Sequence, residues 1–183
     1  MPFVPTAISD EVLAFCDRVA PDTRPEYISI TPELDCAEGE CFWNVKRQTE
    51  REDGRIQFGW SISEWPGVAL LAEYHAVYAP PSGQPWRDIT PSKSENRRLF
   101  LPDDSAAFDF SDTTTRRDNM FFALKEDPLI REFIIAAENY GAIRKSAPVG
   151  KEVQVHIDTA IKLAEAKTEV DRLRKCIAIK YPS

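Results

Sequence analysis

The chain has 183 residues, 43% hydrophobic and 29% charged, enough for one ordinary domain that buries about 70% of its unfolded surface and folds without staples. A formal charge of −7, from 23 basic and 30 acidic residues, opposes any broad footprint on nucleic acid or anionic lipid, and no basic stripe is present. No window approaches the ~20 apolar residues of a membrane span and the N-terminus lacks a signal-peptide pattern, so the expectation is a cytoplasmic protein that binds neither nucleic acid nor membrane, with four free cysteines.

Ser9 has the character of a helix cap, with Asp10 and Glu11 suited to the positive end and Val12, Leu13, Phe15, Cys16 and Val19 at helical spacing until Pro21. Tyr27 to Ile30 alternates after Pro25 and predicts an edge strand. Residues 33–40 are an acidic loop. From Glu40 to Arg47 a short helix is expected, with Cys41 in its first turn and Phe42 and Val45 on its buried face. Ile56, Phe58, Trp60 and Ile62 alternate with polar residues and glycine, and the chain resumes from Val68 to Ala79. Pro66-Gly67 between these runs predicts a hairpin, proline setting one central position and glycine supplying positive φ at the next.

Residues 86–90 and 98–101 read as further strands, which makes the middle of the chain an antiparallel meander. From Pro102 to Asp118 a polar loop is expected, a candidate lid tacked down by Phe108 and Phe110. A helix capped by Asp127, with Pro128 at its first position, is expected to close at Gly141, and a long amphipathic helix is predicted from Lys151 to Lys175. The fold class read from this order is α+β: one domain over 1–183, with a core at 26–125 and a C-terminal helical pair at 127–176. A central antiparallel sheet of three to five strands would carry the Cys41 helix ahead of it and the two C-terminal helices packed on it.

The candidate chemistry lies between residues 40 and 91. A helix N-terminus and a nearby imidazolium both favour a thiolate, and a carboxylate on the far side of the ring fixes its tautomer. Cys41, His75 and Asp88 supply those groups in that order, with room between them for one helix, a hairpin arm and one turn. Asn44 lies one helical turn after Cys41, Glu73 is a rival carboxylate on the face of His75, and Trp60, Trp65 and Trp86 either line a cleft or fill the core. His156, among charges, reads as solvated. Cys36, Cys41 and His75 offer three soft ligands, without the second paired half usual in tetrahedral zinc sites.

Cys41 at a helix start, His75 in Glu73-Tyr74-His75-Ala76-Val77-Tyr78 and Asp88 in Trp86-Arg87-Asp88-Ile89-Thr90-Pro91 resemble the core of the papain-like thiol enzymes, in their transglutaminase-like and NlpC-type branches. That resemblance implies Cys41 as nucleophile, His75 as its base and Asp88 as the group that orients the ring. It departs from the transglutaminase-like pattern at Phe42, where tryptophan commonly follows the nucleophile, and no tryptophan follows His75. The stretch also looks like a bacterial group of small domains with a Gly-Trp strand, a Pro-Gly turn and an Asp-Ile-Thr-Pro end, some with zinc-chelating tails, which carries no assigned activity. The expectation is cysteine-dependent amide or isopeptide chemistry on a peptide or protein, with no cofactor and no metal. The alternatives are a non-catalytic interaction module and a zinc-binding domain.

Overall fold

The computed structural model describes residues 3–81, 83–93, 95–112, 116–146 and 157–182; residues 151–156, which include His156 and the start of the expected last helix, lie outside them. The chain divides into two compact units, one of Val4–Ser63 and Ala72–Phe108, the other of Met1–Phe3, Glu64–Leu71 and Asp109–Ser183. The architecture is α+β.

In the first unit Ser9 caps α1 (Asp10–Val19) as its residues predict, its hydroxyl accepting the Val12 N–H at 3.3 Å. Val12, Phe15 and Cys16 are the buried stripe of that helix. β1 (Glu26–Ile30), α2 (Cys41–Thr49), β2 (Arg55–Trp65), β3 (Ala69–Ala79), β4 (Arg87–Asp88) and β5 (Arg97–Pro102) follow. The strands run β2-β5-β1-β4-β3, and β3 pairs back with β2, so the sheet closes into a five-stranded barrel.

Two features differ from the open antiparallel sheet expected from the sequence. β1 is interior, antiparallel to β5 on one side and parallel to β4 on the other. Pro25 precedes its first residue, so the missing proline N–H removes nothing from either ladder. β4 is only two residues long, and Ser29 pairs with Arg87 and Ile30 with Asp88.

The strand registers sort the side chains into two faces. Ser61 pairs with Phe100 and Ile28 with Arg98, and Ile28, Val77 and Phe100 meet in one buried cluster, so these residues share the inner face of the barrel. Trp60 pairs with Leu101 and Ile62 with Leu99 on the outer face, where all four are buried. Gly59 lets β2 and β5 approach closely: a Cβ there would stand 2.2 Å from the Leu101 carbonyl oxygen. Residues 103–108 are not a free flap. Asp103 accepts the Trp60 indole N–H at 2.9 Å, the Tyr74 hydroxyl donates to the Ala106 carbonyl, and Ala106 is fully buried.

In the second unit the Pro66-Gly67 turn forms as expected, the Val68 N–H donating to the Trp65 carbonyl at 2.8 Å with Gly67 at φ 66°. β6 (Met120–Ala123) pairs with β3 and is followed by α3 (Pro128–Ser146) and α4 (Ile157–Lys180). The two helices pack on the hairpin tip, where Trp65, Val68 and Ala69 meet Ile130, Phe133, Val170, Leu173 and Ile177. Asp127 starts α3 by accepting the Leu129 N–H at 2.8 Å, and its other oxygen accepts from Lys180 and Tyr181. Gly141 does not end α3, which continues to Ser146; with nothing within 4 Å of where its Cβ would be, it sits in the helix without a packing role. No helix among the described residues is long and apolar enough to cross a membrane.

Candidate active site

α2 begins at Cys41, so the thiol belongs to its first turn, where backbone N–H groups lack carbonyl partners within the helix. Glu40 stands at the cap without a side-chain bond, and the segment ahead is held by Asn44 instead. The buried Asn44 amide accepts from the Ala37 N–H at 3.1 Å and donates to the Ala37 carbonyl at 2.8 Å and to the Thr90 hydroxyl at 3.1 Å. Asn44 therefore ties the approach to α2 to the end of β4. Phe42, beside the thiol, fixes the rotation of the helix by packing its ring on Tyr74 at 4.8 Å and Phe108 at 4.6 Å.

His75 lies on β3 and Asp88 on β4. Tyr78 pairs with Arg87, so one step along Asp88 is opposite Val77 and diagonal to His75, on the same face. The His75 Nε2 and the Asp88 Oδ2 are 3.0 Å apart. Cys41 lies close enough to the His75 ring and to the Ala76 backbone N–H for both to act on its thiol. The structure thus brings Cys41, His75 and Asp88 together, the ring paired with Asp88 and the thiol within electrostatic reach of the ring. All three are buried, with Asp88 at 0% exposure, Cys41 at 7% and His75 at 8%.

Charge sets the protonation states. Burial alone would raise the Cys41 pKa, but the adjacent imidazolium, its hydrogen bond and the Ala76 N–H together bring it below the ordinary thiol value. Burial alone would lower that of His75, yet the Cys41 thiolate and the Asp88 carboxylate raise it to about 9. Burial would likewise raise Asp88, and His75, Arg98 and the Thr90 N–H hold it well below the usual carboxylate range. Cys16 and Cys36 go the opposite way: burial pushes Cys16 up to about 12 and raises Cys36. Of these three thiols only Cys41 is shifted toward the thiolate.

The remaining candidates fall elsewhere. Glu73 is exposed, and Asp88 is the carboxylate on the His75 ring. Trp60 is core, packed on Tyr74 at 5.5 Å, and Trp65 belongs to the helical unit's core. Trp86 packs edge-on against Phe100 at 6.3 Å. It lines a groove of about 580 Å³ with Glu26, Tyr27, Gln84 and Arg87, and none of Cys41, His75 and Asp88 reaches that groove. Among the described residues no three His, Cys, Asp or Glu side chains are grouped as metal ligands would be, so the Cys36, Cys41 and His75 set is not assembled.

Two polar residues went unnoticed in the sequence. Arg98, on β5, donates from Nε to Asp88 Oδ2 and from Nη1 to the Ser61 hydroxyl at 2.7 Å. Its one sequence signal is its position two residues before Phe100, which puts it on the face of a buried aromatic. Thr90 is the other, donating its N–H to Asp88 Oδ1 at 2.9 Å. The chain matches no protein-family model, no curated protein and no solved structure.

Proposed function

We propose that the protein is a cysteine-dependent acyl-transfer enzyme acting on amide or isopeptide bonds of a peptide or protein, by hydrolysis, deamidation or transfer to an amine. The observation that carries this reading is the buried His75–Asp88 pair at 3.0 Å, with the Cys41 thiol beside it in the first turn of α2. The Cys41 thiolate attacks the carbonyl carbon, and the carbonyl electrons move to an oxyanion that the N–H groups opening α2 can hold. The imidazolium of His75 gives its proton to the departing amine as the C–N bond breaks, leaving an acyl-thioester. Water or a second amine then attacks, His75 takes its proton, and the thiolate leaves. Asp88 keeps the ring in the tautomer with the proton on Nε2.

The test is mass spectrometry of the protein after incubation with p-nitrophenyl acetate, an activated acyl donor. The expected result is an acyl adduct on Cys41, formed faster than on Cys36 and absent in Cys41→Ala, whose circular dichroism stays that of the parent. Acylation of Cys41 no faster than a free model thiol would overturn the reading. No specific observation at the site favours the non-catalytic module, which needs no depressed thiol and no buried carboxylate behind the ring.

A further inference from the structure

The His75–Asp88 pair sits inside the barrel next to a third charge, the guanidinium of Arg98. Its Nε donates to the same Asp88 oxygen that contacts the ring, and its Nη1 is held by Ser61 at 2.7 Å from β2, on the far side of β5. The Asp88 side chain is wholly buried and that of Arg98 is 13% exposed, so water screens neither charge effectively.

Resting on the acyl-transfer reading above, we propose that Arg98 is a positioning residue for that chemistry: it keeps Asp88 an aimed carboxylate and supplies the counter-charge that stops two anions from locking the proton on His75. The charged groups that act on the ring are Cys41 from α2, Asp88 from β4, in contact with it at 3.0 Å, and Arg98 from β5, bonded to the same Asp88 oxygen. The first two favour the imidazolium and Arg98 opposes it. A ring that must give up its proton and take one back works best when its basicity stays near the operating pH. Arg98 thus allows a buried carboxylate to orient His75 without making it too strong a base. The tie to Ser61 fixes the guanidinium in place, because it joins β2 and β5 across a defined register.

The experiment is a pH titration of the His75 ring by NMR in the full chain, with the iodoacetamide reactivity of Cys41 read by peptide mapping over the same pH range. Wild type is compared with Arg98→Gln, Arg98→Lys and Ser61→Ala, each checked for a folded spectrum. In Arg98→Gln the His75 midpoint should rise by about one unit, a tenfold change in the proton equilibrium. Arg98→Lys, which keeps the charge, should stay near wild type, and Ser61→Ala should show a smaller rise. An unchanged midpoint in folded Arg98→Gln, or equal shifts in the Gln and Lys variants, overturns the proposal. If Arg98→Gln does not fold, Ser61→Ala decides, and an unchanged midpoint there overturns it too. A wild-type His75 with an ordinary midpoint and an unreactive Cys41 would instead remove the acyl-transfer reading itself.

Discussion

Replacing Asp88 by Asn is the sharpest perturbation of the barrel interior. The substitution keeps the shape and one oxygen that can accept the Thr90 N–H, but it removes the charge shared by His75 and Arg98. Asp88 is wholly buried and the Arg98 side chain 13% exposed, so the variant leaves a cation in a dry site without its partner. Breaking a buried pair in this way costs about 3–5 kcal/mol, a large part of the roughly 5–15 kcal/mol that holds a typical domain together. The assay is urea denaturation at neutral pH of Asp88→Asn, Arg98→Gln and the double variant. The double variant should be less damaged than the sum of the two singles, by on the order of 2 kcal/mol, since it removes both charges. Additive effects, or a single-variant cost below about 1 kcal/mol, would mean that water reaches the pair and that the reasoning from burial is wrong.

The same carboxylate makes stability pH-dependent. The folded-state pKa of Asp88 is depressed, so its contribution is present above the unfolded value of about 3.9 and is lost as pH falls through the lower folded value. His75 is raised to about 9, so its contribution is present below the unfolded value of about 6.5 and is lost as pH rises through about 9. Melting temperatures of wild type should therefore be highest on a mildly acidic plateau between about pH 4 and about pH 6.5 and fall on both sides of it, and Asp88→Asn should lose most of the acid-side decline.

Cys41 should react with iodoacetamide at about pH 6 at least tenfold faster than Cys16, and His75→Ala should abolish that advantage, since the imidazolium is the main influence lowering the thiol pKa. Equal rates for the two cysteines, by peptide mapping, would contradict the electrostatics. Gly59→Ala should destabilise the barrel by about 1–3 kcal/mol or more, because the new Cβ meets a backbone oxygen that cannot move aside. Gly141→Ala should do the opposite and stabilise by about 0.5–1 kcal/mol, as its Cβ meets nothing and α3 continues through it. Denaturant midpoints of the two variants check both signs.

The features legible in the sequence are those decided within a few residues. Ser9 accepts the Val12 N–H three residues on, Pro66-Gly67 closes its turn between Trp65 and Val68, and Asp127 bonds Leu129 two residues on. The start of α2 at Cys41 is of the same kind, and so are the strands that carry His75 and Asp88. Gly141 misled because glycine only permits a helix to end; it compels nothing unless the next residues adopt the left-handed conformation, and here the buried contacts of α3 and α4 outweigh its small helix penalty. The periodicity of β1 marked it as a strand but could not name its neighbours, since the alternation of an edge and of an interior strand is alike.

By itself, then, the sequence determined the order of helices and strands, the hairpin turn, and three reactive side chains on adjoining elements. Tertiary structure alone decided that β1 runs parallel to β4 and closes the barrel, and with it which face of each strand became the interior. That closure brings Arg98 against Asp88, 10 residues away, and Ser61 against Arg98, 37 residues away. The physical reason is that a side chain's partner across a sheet depends on register and on pairing between distant strands. No local propensity encodes either one, and only the burial of a whole face selects between alternatives.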